Sequence, residues 1–212
     1  MRKAVVVSVL LLALGFTTAV QAAPVTWNID PVHSQVGFSV RHFFTKVPGQ
    51  FTKFSGTIVH DPQKPEASSV KAEIDAATIN TQNERRDNHL RSQDFFYVEK
   101  HPTITFVSTK VTPAGEGKLK VDGNLTIRGI TRPVTLDVAF LGSGPTGNGE
   151  SRAGFEATTK VNRKDFEIVW NRTLDQGGAM LGDDVEIRLT VEAVNKPEEA
   201  PAKKAEAAPS KS

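Results

Sequence analysis

The chain has 212 residues, with 26 Lys or Arg and 24 Asp or Glu, so its formal net charge at pH 7 is +2. It contains no cysteine, which excludes disulfides, thiolate metal sites, cysteine nucleophiles and haem attached through cysteine. The balance of charge lacks the surplus of Lys and Arg on which nucleic-acid binding depends. We therefore expect no nucleic-acid partner.

The first 22 residues have the pattern of a removable export signal. Arg2 and Lys3 form a short basic start, residues 4–20 are largely apolar, and Val-Gln-Ala ending at Ala22 supplies the sequence before a cut. The apolar stretch is too short, and its flanks are wrong, for a membrane-spanning helix. We expect a signal peptide over residues 1–22, cleavage after Ala22, and a mature protein in the periplasm with 24 basic and 24 acidic side chains.

The opposite end of the chain differs in composition from the body. Residues 195–212 are rich in Pro, Ala, Lys and Glu and contain no aromatic or β-branched residue. Such a segment cannot bury enough apolar surface to offset its ordering entropy, which predicts a disordered tail. One folded domain is then expected over residues 23–194.

Alternation of apolar and polar residues with a period of two is the strongest structural pattern in the body, and it predicts β-strands. Residues 118–128 place Leu, Val, Gly, Leu and Ile at the odd positions and polar residues at the even ones, and residues 184–194 repeat the pattern. Eight or nine strands result. The predicted ranges are 25–30, 33–42, 56–60, 69–76, 103–112, 118–128, 133–141, 152–161 and 184–194.

Helical character is limited to one place, where Thr81 and Glu84 have the spacing of a capping box at the start of a helix of one or two turns. Many strands with one apolar face each form either a two-sheet sandwich or a closed barrel, and periodicity alone does not choose between them. The length of several strands and the small residues on their inner faces favour a barrel with room for one ligand.

Four phrases, in order, resemble the YceI-like family of exported proteins. They are Asp-Pro-Val-His-Ser-Gln-Val-Gly-Phe-Ser-Val-Arg-His at 30–42, Arg-Asp-Asn-His-Leu-Arg-Ser-Gln-Asp-Phe-Phe at 86–96, the segment 123–134, and Arg-Ala-Gly-Phe-Glu at 152–156. The resemblance covers residues 26–194. It implies an all-β fold, an extended eight-stranded antiparallel lipocalin-like β-barrel with one short helix. It also implies an apolar interior that holds a polyisoprenoid, an isoprenoid quinone or a similar long-chain lipid.

Phenylalanine dominates the aromatic residues, with twelve Phe against two Trp and one Tyr. Clusters at strand ends and beside the helix fit the mouth of an apolar cavity, and inward-facing strand residues fit its lining. The alternative is that these rings close the barrel as ordinary core. The apolar candidates for ligand binding are Phe38, Phe43, Phe44, Phe95, Phe96, Phe106, Phe140 and Phe155.

Polar candidates for a lipid head group come from the same resembling phrases. Arginine suits a pyrophosphate through paired donors, whereas a quinone needs only one or two hydrogen-bond donors. The alternative for the candidates on and beside the predicted helix is that they form a solvated helix face with weak surface ion pairs. The candidates are Arg41, His42, Arg86, His89, Arg91 and Asp94.

Metal binding and catalysis are both disfavoured. The five histidines, at 33, 42, 60, 89 and 101, form no metal-binding pair on one regular element, so we expect no metal and no cofactor. Asp30, His33 and Ser34 are the residue types of a hydrolase triad, but the chain has no Gly-x-Ser-x-Gly. We expect no enzyme, and a local turn contact between Asp30 and His33.

The sequence therefore predicts a periplasmic protein that holds a polyisoprenoid or an isoprenoid-quinone-like ligand for sequestration or transport. The expected form is a monomer or homodimer with transient membrane-surface contact. The alternative is a stress-response or electron-transfer accessory in which the barrel is a platform for a membrane redox partner.

Overall fold

The computed structural model describes residues 24–147, 149–173 and 179–195, so the predicted cleavage site and nearly all of the predicted tail lie outside it. The described residues form eleven strands and one α-helix, α1 (Glu84–Arg91). The strands are β1 (Val25–Ile29), β2 (Gln35–His42), β3 (Thr45–Phe51), β4 (Phe54–His60), β5 (Ser69–Asp75), β6 (Ile79–Asn80), β7 (Thr103–Pro113), β8 (Lys118–Ile127), β9 (Ile130–Pro145), β10 (Ser151–Asn162) and β11 (Leu181–Asn195).

These eleven strands make an eight-stranded barrel because three of its eight strand positions are each formed by two shorter strands. Each strand position is called a stave. β1 and β2 both pair with β11 and together form one stave. β4 and β3 pair with β1 and β2 respectively and form the next, and β5 and β6 continue the sheet beside them. All pairings are antiparallel, and the β1–β11 pairing closes the sheet. The predicted antiparallel barrel with one short helix is confirmed.

Alternation places one face of each strand inside the barrel. On β8 the buried residues are Leu119, Val121, Leu125 and Ile127, while their neighbours point outward and remain accessible. On β11 the inward residues retain some accessible surface because they border an internal cavity instead of other side chains. The interior is therefore apolar but not filled by side chains.

Two local predictions need correction. The strands β3 and β6 were absent from the predicted set, because Pro48 and Gly49 break the alternation of β3 and β6 is only two residues long. The helix is also capped differently: Asn83, not Thr81, is the N-cap of α1, and its side chain accepts a hydrogen bond from the Arg86 backbone N–H.

The two ends of the barrel differ. The end that carries α1 and the β2–β3 turn is called the α1 end below. The opposite end is called the Trp27 end. It contains a separate buried cluster of Trp27, Ala153, Phe155 and Ala193. Among the described residues, no helix is long and apolar enough to cross a membrane.

Candidate ligand-binding cavity

A cavity of about 840 Å³ runs through the barrel, within the range of pockets that bury a whole small-molecule ligand. Its wall is formed by inward-facing apolar side chains from all eight staves. β11 contributes Val185, Ile187, Leu189 and Val191 in strict alternation. An apolar ligand placed here would be transferred from water to an apolar environment along its whole length.

Polar side chains reach the cavity mainly at the α1 end. Asn83, Arg85, Arg86 and His89 of the α1 segment line it, together with His42 at the end of β2. The first three of these are also exposed to solvent, so the cavity extends to the surface beside α1. A ligand with one polar head and a long apolar tail matches this distribution.

His60 brings a polar ring to the wall near the Trp27 end. Its ring centroid lies 4.6 Å from that of Phe140 and 5.8 Å from that of Phe155. Nδ1 lies 3.4 Å from Ser68 Oγ, whereas Nε2 is buried and lacks a hydrogen-bond partner among the described residues. Burial lowers the pKa of His60, because the charged ring would lose its hydration.

Aromatic rings make up much of the wall toward the α1 end. Phe38 and Phe51 lie 5.7 Å apart, and Phe51 meets Phe96 edge-on at 5.6 Å. Opposite them, the His89 ring meets Trp170 edge-on at 4.8 Å. The tilted and edge-to-face arrangements are the ones that aromatic pairs prefer, so these rings stabilise one another in the wall.

α1 is fixed against the barrel by buried polar contacts. The carboxylate of Asp87 accepts hydrogen bonds from both the backbone N–H and the hydroxyl of Thr81, at 2.9 and 2.5 Å. Arg86 donates to the Thr81 hydroxyl and carbonyl, and Arg91 donates to the carbonyls of Ala77 and Ile79. The helix is thereby held at the cavity edge.

Two arginines that the sequence analysis did not single out hold the loops at the α1 end. Arg163 is buried and donates to the carbonyls of Ile168, Trp170 and Gly182. Burial lowers its pKa, but a guanidinium stays charged. Arg128 likewise donates to the carbonyls of Gln93 and Phe95. No local pattern in the sequence marks such long-range contacts.

The structure places eight of the predicted ligand-binding residues on the cavity wall. Their contact with a ligand remains a prediction. They are Phe38, His42, Arg86, His89, Phe95, Phe96, Phe106 and Phe155.

The other candidates lie off the wall. Arg91 binds backbone carbonyls, and Asp94 lies 2.9 Å from His89 Nε2. Phe140 packs against His60 and Phe155 at the Trp27 end. The remaining three, on the β2 end and the β2–β3 turn, are Arg41, Phe43 and Phe44.

A charged cluster lies on the outer surface beside β10 and β11. Asp30 contacts His33 at 2.8 Å, which confirms the predicted turn contact, and Arg152 donates to both Asp30 and Glu192. Hydrogen bonds from His33, the Val32 backbone N–H and Arg152 lower the pKa of Asp30 to about 2. The potential ligand atoms of Asp30, His33 and Glu192 lie within 4.8 Å of one another, but the Arg152 guanidinium already supplies the positive charge between them.

A serine hydrolase is not assembled here. Ser34 Oγ donates to the Glu192 carbonyl and accepts from the Glu192 backbone N–H. Both contacts tie it to β11 and give it a structural role in the turn. A nucleophile would need a hydrogen bond to its base, which Ser34 does not make to His33.

A family model described as the YceI-like domain matches residues 27–193, which is almost the whole barrel. The chain belongs to the YceI-like family. Among its YceI-like relatives, a UPF0312 protein of Ectopseudomonas mendocina is 39% identical over 177 residues, covering 82% of this chain and 90% of that protein. Protein YceI of Salmonella arizonae is 39% identical over 187 residues, covering 87% and 94%.

Solved structures of similar chains share the YceI-like barrel. BcnA of Burkholderia cenocepacia has a TM-score of 0.67 at 26% identity, covering 77% of this chain and 98% of that one. The YceI protein of Campylobacter jejuni has a TM-score of 0.65 at 32% identity, covering 73% and 88%. A polyisoprenoid binding domain from Saccharophagus degradans has a TM-score of 0.55 at 13% identity, covering 80% and 98%, a likeness of fold.

Proposed function

We propose that this protein is an exported carrier that holds one long-chain isoprenoid lipid inside its barrel, in the periplasm, for sequestration or transport. The observation that carries the proposal is the apolar cavity of about 840 Å³ through the barrel. The polyisoprenoid binding named for the Saccharophagus degradans domain, which has the same fold, supports the choice of ligand class. Export rests on the pattern of residues 1–22, which lie outside the described part of the chain.

The orientation of the lipid follows from the polarity of the wall. Arg86 and His89 beside the surface would meet a polar head group, and the apolar strands would enclose the tail. Each buried CH₂ contributes about 0.8 kcal/mol, so the tail supplies most of the affinity and one or two hydrogen bonds suffice for the head. A quinone ring and a polyprenyl phosphate both fit this description.

The alternative, an accessory to a membrane redox partner, needs only the outer surface of the barrel. It would leave the interior free to be filled by side chains, as in barrels without ligands. The cavity therefore favours the carrier. Binding is also favoured over catalysis, since Ser34 is engaged by β11 backbone atoms.

The test is to extract the purified protein with organic solvent and identify what it carries by mass spectrometry. We expect a long-chain isoprenoid at up to one per chain. Protein that folds normally yet releases no lipid, and takes up none from added isoprenoid quinone or polyprenyl phosphate, would overturn the proposal. The comparison of the two added lipids also identifies the head group.

A pair of variants on β10 makes the test specific. Ala157 is buried and lines the cavity, whereas its neighbour Thr158 is exposed on the outer face. A157F places a ring inside the cavity and should reduce the lipid content several-fold. T158F adds the same ring outside and should leave the lipid content unchanged. Circular dichroism of both variants verifies that the barrel is retained.

A further inference from the structure

The β2–β3 turn at the α1 end carries a bulky residue, Phe43, at a position whose backbone does not favour it. His42 pairs with Thr45, so Phe43 and Phe44 are the two central residues of the hairpin. Phe43 has φ of 51°, in the left-handed region where glycine, asparagine and aspartate are the usual residues of such turns. A bulky side chain is strained there.

Both side chains leave apolar surface exposed, and Phe44 buries almost none. Phe44 is 99% exposed and Phe43 is 38% exposed, although the Phe43 ring contacts His42 edge-on. Their backbone is nevertheless held firmly, since the Phe43 N–H donates to the Met180 carbonyl and Arg41 donates to the Phe43 carbonyl. A strained turn that presents exposed rings on a fixed backbone points to a role outside folding.

The turn lies next to other exposed apolar groups at the rim of the cavity. Met180, which accepts from Phe43, donates its N–H to the Arg172 carbonyl, and that loop continues back to Trp170 and Val169. Val169 is 64% exposed, and Trp170 lines the cavity and meets His89 of α1. The exposed rings thus belong to the same end at which the cavity reaches the surface.

Exposed arginines lie at the same end of the barrel as these rings and favour an anionic surface. Arg41 and Arg172 flank the turn and its neighbouring loop, and Arg85 is exposed at the start of α1. Lys46 is already paired with Glu186 at 2.6 Å, so the positive charge comes from the arginines. Exposed aromatic side chains together with exposed arginines are features with which proteins bind the interface of an anionic bilayer.

We propose that the α1 end docks on an anionic lipid bilayer, with Phe43 and Phe44 inserted among the head groups and the cavity opening facing the lipid. This docking adds a membrane surface to the proposed carrier and rests on the exposed rim, not on the identity of the ligand. It gives an apolar ligand a path between bilayer and barrel that does not cross bulk water.

The experiment uses the full chain, processed as the cell makes it, and vesicles of phosphatidylcholine with or without phosphatidylglycerol. The wild type should sediment with the vesicles that contain phosphatidylglycerol, and less so as salt is raised. F43N combined with F44G should weaken this binding more than about tenfold. R85Q and R172Q should each weaken it about fivefold.

The matched control is L141N, which removes an exposed apolar side chain from β9, away from the α1 end. It should bind vesicles like the wild type. The turn variant should unfold at about the same temperature as the wild type, because asparagine tolerates the positive φ at position 43 better than phenylalanine does. In F44W, quenching by brominated lipid in excess of that of the native Trp27 and Trp170 in the wild type reports whether the ring enters the bilayer.

Three outcomes would overturn the proposal: vesicle binding that survives loss of both rings, binding that ignores phosphatidylglycerol, or no quenching of F44W in excess of that in the wild type. Lipid content is measured by mass spectrometry in the same preparations. A turn variant that retains its lipid while losing vesicle binding separates docking from carrying. A wild type that contains no lipid but still docks would instead count against the carrier alone.

Discussion

The distal edge of the Phe38 ring on β2 occupies the space that a side chain at Gly49 on β3 would fill. An ideal Cβ at position 49 would lie 2.3 Å from Cζ of Phe38. The two residues are direct partners across the β2–β3 pair. The glycine therefore allows Phe38, which lines the cavity, to lie across its neighbouring strand.

We predict that G49A destabilises the protein by about 1–3 kcal/mol, because the new methyl group forces the Phe38 ring from its position. In an F38A background, G49A should lower the free energy of unfolding by much less. A double-mutant cycle from urea denaturation measures the difference. Equal costs of G49A in the two backgrounds would contradict this account of the contact.

The Asp30 carboxylate should make stability depend on acid. Hydrogen bonds from His33, the Val32 backbone N–H and Arg152 lower its pKa in the folded protein to about 2, below the ordinary value of 3.8. The contribution is therefore fully present above pH 4 and is lost as the pH falls toward 2. D30N should lower the free energy of unfolding at pH 7 by about 2 kcal/mol and remove this part of the acid dependence.

The comparison for D30N is E186Q, which removes the partner of Lys46 on an exposed surface. Exposed pairs contribute about 0–1 kcal/mol, so E186Q should be close to neutral. Denaturant titrations at several pH values measure both variants. If D30N were no more destabilising than E186Q, the cluster around Arg152 would not contribute to stability.

His60 should make the protein less stable in mild acid. Burial lowers its folded pKa below the ordinary value of 6.5. Below that pH the unfolded chain takes up a proton that the folded protein does not, so the free energy of unfolding falls by at most about 1.4 kcal/mol per pH unit. H60F should show a shallower decline between pH 7 and 5, measured by thermal unfolding. An identical decline in H60F would refute the assignment.

The buried Asp87 should control how firmly α1 is held. D87A would leave the Thr81 N–H and hydroxyl without their acceptor, at a cost of about 1–3 kcal/mol. Hydrogen exchange of α1 amides should become faster than that of β8 amides. E84Q, an exposed change on the same helix, is the control. No change in α1 exchange would show that other contacts hold the helix.

Strands with one apolar and one polar face could be predicted from the sequence, and β8 and β11 show why. Each alternates over ten or more residues, so the inward set is visible without knowledge of the partners. β3 could not be predicted, because Gly49 is explained only by Phe38 on another strand. Alternation also left sandwich and barrel open, since closure depends on the β1–β11 pairing.

The cavity wall was predicted in part for the same reason. Phe38, Phe106 and Phe155 face inward as their alternation indicates. Phe140 also alternates correctly, yet it packs against His60 and Phe155 and is not part of the cavity wall. The Arg163 side chain donates to the Trp170 carbonyl. This contact depends on how the chain between the two residues folds back, which the sequence pattern does not predict.

The three interrupted staves lie side by side, and their breaks fall at residues 30–34, 52–53 and 76–78. At the second and third breaks the ladder is replaced by turn contacts, such as Asp75 N–H to the Lys53 carbonyl at 3.0 Å, whereas at the first break Asp30 N–H donates to the Glu192 carbonyl. β7 to β11 run unbroken on the other side. Because the strands are interrupted on one side of the barrel only, we expect that any widening of the barrel to admit a bulkier ligand would take place on that side.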